Sequence, residues 1–413
     1  MEVMKFGGAS VRDASSIKNV LQVANIYGFI EGVLVVSAMG KTTNALERVV
    51  DGYFNSQNYH QEINKIKEDH LEVAKQLFEE NDSVFHEIDE IFDDLYLFLD
   101  KNKSPNYSFV YDQTVSAGEI LSSKILSRYL AVSGFNNTWL DSRDYIKTDS
   151  SFQEGVVNWE KTLESMGQLE SDVCYVTQGF IASDDDKFTV TLGREGSDYS
   201  AAIFAYCLDA ERMTIWKDVP GVMTADPRKF PSASLLDHIS YEEAIEMAYY
   251  GASVIHPKTL QPLKQKHIRF FIKSFIDPVE KGTEVSDMGS GDNRETIIVK
   301  DNQAYLTLST NDFSFIAEHH LSEIFQLLAK YKIKISVMQN TAISLELCLE
   351  DKFGHLNLLV DDLKSWLKID AVRDVSLFTI RHSTAPRVAE LMKGRKVLLE
   401  QSSNETFQAV VKN

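Results

Sequence analysis

Two short apolar runs near the N-terminus, "EVMKF" and "GVLVV", are separated by a Gly-Gly turn and a helix-periodic stretch, "SVRDASSIKNVLQVANIY". Strand, glycine turn, helix and strand in this order predict a parallel α/β sheet. Strand signals return at "VCYVTQGFIAS", "FTVTL" and "RMTIWKDV". Between them, residues 60 to 100 ("HQEINKIKEDHLEVAKQLF" and "DSVFHEIDEIFDDLYLFLD") are acidic, with apolar residues spaced three and four apart, and predict a helical excursion with a solvated charged face.

At 413 residues the chain exceeds one ordinary core, so at least two domains are expected. The texture changes near residue 290 at "SDMGSGDNRET", a Gly/Ser/Asp cluster read as a boundary between a 1–290 domain and a smaller 291–413 region. That region runs "AYLTLST", helix "LSEIFQLLAKYK", "IKISVMQN", "ISLELCLED", helix "HLNLLVDDLKSWL", then "VSLFTI". The order βαββαβ is the ferredoxin-like plan. A fuller copy is expected at about 303–370 and a compressed second copy at about 373–413.

The net charge of −19 sets the chain against nucleic acid, whose phosphates it would repel. Cys174, Cys207 and Cys348 are far apart and form no CxxC, which fits a reducing cytoplasm. The start "MEVMK" does not read as a signal peptide, and no apolar run is long enough to span a bilayer.

Five segments carry chemistry. In "KFGGAS", Gly7 and Gly8 let backbone N–H groups approach a ligand, a helix from about Ser10 would aim its positive end there, and Lys5 adds a full charge. These features suit an anion; an ordinary βα turn with a surface lysine would look the same. "SAMGKTTN" resembles the end of a P-loop, but that motif needs glycine where Val35 stands, so it is rejected. Thr43 and Asn44 remain as hydrogen-bonding groups at a turn. In "LGREGSDYSAA", Gly193 and Gly196 flank Arg194, which can fork a carboxylate or phosphate, and Ser197 and Asp198 precede a small-residue helix that Asp198 could cap. "WKDVPGVMTADPRKF" offers Lys217 and Arg228 on loops at the carboxyl edge of a parallel sheet, where ligands bind. In "SAGEILSS", Glu119 stands behind Gly118 at an expected helix start, either as a dipole partner or as a partner for an ammonium.

Taken in order, these stretches resemble the aspartate kinases of the amino-acid kinase superfamily. The family's "KFGGTS" appears as "KFGGAS", "SAMGGVTN" as "SAMGKTTN", "LGRGGSDYSAA" as "LGREGSDYSAA", "WTDVPGVMTADPR" as "WKDVPGVMTADPR" and "GAKVLHP" as "GASVIHP". "GE-L-S", "LDSRDYIKTD" and "TQGFIAS" match as well, and the C-terminal region resembles the family's paired ACT domains. The resemblance implies a three-layer αβα kinase domain with a mainly parallel sheet, followed by ferredoxin-like ACT domains. It also implies transfer of the γ-phosphoryl group of Mg-ATP to the β-carboxylate of L-aspartate, with ATP and Mg2+ as cofactors and no metal ligands assigned in the chain. Lys5 and Asp198 are implied as catalytic. Lys5, Phe6, Gly7, Gly8, Lys217, Asp218, Arg228, Ser253 and Lys258 are implied for ATP, and Thr43, Glu119, Arg194, Ser197 and Asp198 for aspartate. A cytoplasmic homodimer through the ACT domains is implied too.

The chain departs from the pattern at Ala9 (threonine), Glu195 (glycine), Lys217 (threonine) and Ser253, where many relatives carry a nucleotide-contacting lysine for which Lys217 could compensate. Lysine-inhibited members carry an aspartate in a "VDLI" pattern where "ISVM" puts Ser336, and their "SE" pair is Thr341-Ala342 here. Weak or absent lysine feedback is therefore expected. Two other readings are a different amino-acid kinase and a non-catalytic amino-acid sensor. The absence of G-x-G-x-x-G after any strand speaks against a dinucleotide enzyme or a fused dehydrogenase.

Overall fold

The computed structural model describes residues 1–252, 254–287, 293–311, 314–403 and 405–412. It divides into two compact units: Met1–Val222, Leu235–Ile245 and Val254–Gly291 form the first, and Met223–Ser234, Glu246–Ser253 and Asp292–Asn413 the second. Most of the "SDMGSGDNRET" stretch lies outside the described residues.

Strands of the first unit are β1 (Glu2–Phe6), β2 (Gly32–Val36), β3 (Thr138–Leu140), β4 (Cys174–Gln178), β5 (Ile181–Ser183), β6 (Thr189–Thr191), β7 (Arg212–Lys217), β8 (His238–Ile239), β9 (Arg269–Ser274) and β10 (Thr283–Val285). Eight of them form one sheet in the order β3-β4-β2-β1-β7-β9-β10-β8, while β5 and β6 make a separate hairpin. All pairings in the large sheet are parallel except β9 with β10. The central strands are buried along nearly their whole length, as a sheet covered on both faces requires.

Helices α1 (Ala14–Ile26), α2 (Thr42–Phe54), α3 (His60–Leu77), α4 (Val84–Lys101), α5 (Tyr107–Val132), α6 (Ser142–Tyr145), α7 (Trp159–Met166), α8 (Gly196–Cys207), α9 (Tyr241–Tyr250) and α10 (Pro257–Gln265) follow in chain order. The acidic excursion is α3 and α4. Their apolar stripes (Ile63, Ile66, Val73; Ile88, Phe92, Leu95, Leu99) join the core that also holds α1, α2 and α5. No helix among the described residues is long and apolar enough to cross a membrane.

The second unit holds β11 (Thr296–Thr310), α11 (Glu318–Lys330), β12 (Lys334–Asn340), β13 (Ser344–Glu350), α12 (Leu356–Leu363), β14 (Leu367–Arg381), α13 (Ala385–Met392), β15 (Lys396–Ser402) and β16 (Thr406–Lys412). They form one sheet, β12-β13-β11-β14-β16-β15, with every pairing antiparallel. The long strands β11 and β14 each serve two ferredoxin-like copies. The first copy closes on 367–372, paired with 305–310, and not on "VSLFTI" as the sequence suggested. "VSLFTI", which the sequence also offered as the start of the second copy, pairs with 296–300 on one side and with β16 on the other. The joint is a register shift between Lys300 and Tyr305, opposite Asp374 in a left-handed conformation (φ 54°). An apolar core under the first copy gathers Leu306, Leu308, Ile324, Leu347, Leu359 and Leu363.

Candidate active site

The turns after β1, β2, β4 and β7 open at one edge of the sheet, because these strands are neighbours and parallel. Gly7, Ser37, Gly179 and Asp218 follow these strands directly. Lys5, inside β1, is only 6% exposed. Its ammonium is 2.7 Å from Asp198 Oδ1, and Lys217 at the end of β7 reaches Asp198 Oδ2 at 3.2 Å. Lys217 also donates to the carbonyl of Val254 at 2.8 Å. Burial works against ionisation of Asp198, but the two ammonium groups outweigh it and hold the carboxyl below its ordinary range. Asp198 is the third residue of α8, not its cap; Glu195 takes the cap position in a left-handed conformation (φ 54°).

Gly8 cannot carry a side chain. A Cβ there would meet the carbonyl oxygens of Ala38 at 2.7 Å and Gly40 at 3.0 Å, so the first two turns lie against each other. Gly40 N–H donates to the Gly8 carbonyl, and Ser37 N–H to that of Phe6. The helix expected from Ser10 starts later. Gly8–Val11 form a 3₁₀ turn, and α1 begins at Ala14 with Asp13 accepting from Ser16 N–H. The amide dipoles at Gly7 and Gly8 are thus those of a tight turn, with the α-helix N-terminus already capped by an acid. Phe6 offers only backbone: its ring is buried and stacks on Trp216.

Glu119 is in the middle of α5, not at a helix start, since that helix begins at Tyr107 behind the capping side chain of Asn106. No terminal dipole acts on it. It is 3% exposed, and burial pushes its carboxyl up to about 8 against the Ala38 amide and the charge of Lys5. Its Oε2 has no hydrogen-bond partner among the described residues. A buried acid held this way is short of a donor or a cation. Gly118 lets α5 approach the start of α2: a Cβ would lie 3.0 Å from Thr42 Cγ2 and 3.2 Å from Ala38 Cβ. The neighbouring Thr43 is half-buried in the first turn of α2.

Ser197 occupies the first turn of α8 and touches the β4 turn. A Cβ on Gly179 would fall 2.5 Å from Ser197 Cβ, so that position tolerates only glycine. Arg194 is exposed and makes no ion pair among the described residues. Asp218 is exposed beside Ser10, Lys18 and Asn19 in a cleft of about 460 Å³. Lys258 is exposed near the start of α10, its amide donating to the ring of His256. Arg228 belongs to the second unit, exposed and forked onto Asp226 at 2.9 Å. Ser253 lies outside the described residues. Among those residues, no cluster of three or more His, Cys, Asp or Glu could hold a metal ion.

Residues 1–274 match the model of the amino acid kinase family. Lysine-sensitive aspartokinase 3 of Escherichia coli is 30% identical over 361 residues, spanning 84% of this chain and 78% of that one. The chain belongs to the aspartokinases of the amino acid kinase family. Two crystal structures of E. coli aspartokinase III agree with this over 100% of this chain and 96% of theirs, at 26% identity. The complex with lysine and aspartate, in the T-state, gives a TM-score of 0.84. The complex with aspartate and ADP, in the R-state, gives 0.83. Arabidopsis thaliana aspartokinase 1 is 29% identical over 96% of this chain and 69% of its own. The C-terminal region fits an ACT regulatory domain, whose sheet is the antiparallel one.

What the sequence did not announce is the link from Lys217 to Asp198. The only signal was a lysine where the family has threonine.

Proposed function

We propose that this site transfers the γ-phosphoryl group of ATP to the β-carboxylate of L-aspartate, giving 4-phospho-L-aspartate and ADP. The observation that carries the reading is the pair of ammonium groups, Lys5 and Lys217, held on the two oxygens of one buried carboxylate beside a glycine turn. A carboxylate acceptor has an ordinary pKa of about 4 and needs no general base. The obstacle is the approach of two anions, so catalysis consists of positioning and charge neutralisation. Lys5 and the Gly7 and Gly8 amides hold the transferring phosphoryl group, and Lys217 neutralises the charge that builds on the nucleotide side as the bond to ADP breaks. Asp198 holds both ammonium groups in place.

On the acceptor side, Glu119 takes the ammonium of aspartate and Arg194 forks a carboxylate, with Thr43 and Ser197 completing the pocket. Asp218 and Lys258 are assigned to the nucleotide; for Arg228 and Ser253 that role rests on the resemblance alone. Mg2+ would come with the nucleotide, held through its phosphates, since no three acidic, His or Cys side chains gather among the described residues to hold it. It would supply charge neutralisation there.

The protein is further proposed to act in the cytoplasm as a homodimer through its ACT sheet. Edge strand β12 exposes Met338, and nearby Ile343 and Phe315 are also exposed on segments joined by the Ile316 N–H to Ala342 carbonyl bond. ADP release measured with aspartate, with glutamate and without acceptor tests the activity. Release should depend on aspartate, and equal release with glutamate or with water would overturn the assignment.

A further inference from the structure

Asp112 is fully buried on α5 and belongs to none of the groups assigned above. Its Oδ2 accepts from the Gln153 and Thr191 amides, each at 2.9 Å, and its Oδ1 accepts from Thr191 Oγ at 2.7 Å. The next residue, Gln113, donates from its side-chain amide to the Thr189 carbonyl at 2.7 Å and accepts from the Thr189 N–H at 3.1 Å. Thr189 and Thr191 are the two ends of β6, and β5 covers the other edge of that strand. Two consecutive side chains of a helix thus stand where a neighbouring strand would be, satisfying an edge that would otherwise be buried unpaired.

The strand docked this way leads directly into the Arg194 turn. Leu192 N–H donates to the Phe180 carbonyl and Gly196 N–H to that of Gly193, so slack between Thr191 and α8 is small. Glu119 stands on α5 about two turns beyond Asp112. One helix therefore carries Glu119 and, through Asp112, fixes the strand that delivers Arg194.

We infer that Asp112, assisted by Gln113, is a positioning residue for the acceptor amino acid, setting the distance between the ammonium-binding and carboxylate-binding ends of the pocket. The inference rests on the assignment of Glu119 and Arg194 to aspartate. Three donors converge on Asp112 from two segments, two backbone amides on one oxygen and the Thr191 hydroxyl on the other. An alanine would leave both buried amides without an acceptor.

The test is steady-state kinetics of the full chain carrying Asp112→Ala, Arg194→Ala, or both, with Gln113→Ala as a milder variant in the same cycle should Asp112→Ala fold poorly. Asp112→Ala should raise the aspartate KM tenfold or more while the ATP KM stays within twofold. Because it acts through Arg194, it should add little to the loss already caused by Arg194→Ala. Hydrogen exchange at Thr191–Gly196 should speed up in the single variant, a readout independent of activity. Faster exchange there with an unchanged aspartate KM would overturn the inference, as would equal rises in both KM values or additive losses in the double variant. A wild-type enzyme inactive on aspartate would instead overturn the activity beneath it, and exchange would still report whether Asp112 holds the turn.

Discussion

Glu119 carries a proton in the free protein at neutral pH, because burial holds its carboxyl at about 8. Its folded value is raised above the ordinary 4.5, so the stabilising contribution of the neutral form is complete below that value and is lost as pH rises through about 8. Aspartate brings an ammonium that favours the ionised form. Binding should therefore release a proton, and the aspartate KM should fall as pH is raised from 6 to 8, which initial rates at fixed saturating ATP will show. Glu119→Gln should raise the aspartate KM by about tenfold, leave the ATP KM nearly unchanged, and raise the melting temperature at pH 8. A rise in ATP KM instead would move Glu119 to the nucleotide side. Glu195, left-handed at the start of α8, carries strain of about 1 kcal/mol that glycine would not. Glu195→Gly should stabilise the protein by up to about that amount, less the freedom it gives the unfolded chain, as read by urea unfolding. Lys5, Arg194 and Asp198 were legible as candidates because each sits in a short motif whose glycines signal a turn, whereas Gly118 and Glu119, read as a helix start, lie inside α5. The partnership of Lys217 with Asp198 was not legible, since it depends on β7 lying beside β1, a fact of sheet order.

At the scale of elements, the α8 start is pressed against the β4 turn through Gly179. Gly179→Ala would drive a methyl group to 2.5 Å from Ser197 Cβ, which can be relieved only by moving α8 or the turn. The predicted result is a fall in kcat/KM for aspartate of at least tenfold, with the far-UV circular dichroism spectrum preserved. The same scale explains which elements the sequence showed. Helices α3, α4, α11 and α12 were plain from their three-and-four spacing, and the kinase strands from their apolar runs. The closing strand of the first ACT copy was missed because "LKIDAVRD" is mostly exposed and charged on its outer face, whereas "VSLFTI" is buried throughout and looks like the stronger strand. The docking of Asp112 and Gln113 against β6 was invisible for another reason. Its partners lie 79 and 76 positions apart in the chain, and no local pattern marks a helix that pairs with a strand edge.

For the molecule as a whole, the ACT sheet is present, but the acids that the resemblance implies for lysine-inhibited members are replaced here by Ser336 and Thr341-Ala342. Ser336 stands on β12 and donates to Gln303 Oε1 at 3.0 Å, and the following turn is closed by Thr341 and Ser344 rather than by an acid. A charge-assisted hydrogen bond contributes roughly 1.5–3 kcal/mol, so two missing acids should weaken lysine by a hundredfold or more. Kinase activity at saturating ATP should thus be little changed by 1 mM lysine, while light scattering at micromolar protein should give the mass of a dimer. Strong inhibition by sub-millimolar lysine would mean that another acid, such as Glu318 or Glu323 of α11, has taken the role. Trapping the acyl phosphate with hydroxylamine measures most directly whether two lysines on one buried carboxylate drive phosphoryl transfer to aspartate. Wild-type enzyme with ATP and aspartate should yield the aspartyl hydroxamate. Lys5→Ala and Lys217→Ala should each lower kcat by about a hundredfold, equivalent to some 3 kcal/mol of lost transition-state stabilisation. A wild-type enzyme that forms no hydroxamate, or a Lys217→Ala variant that keeps half its kcat, would contradict the account.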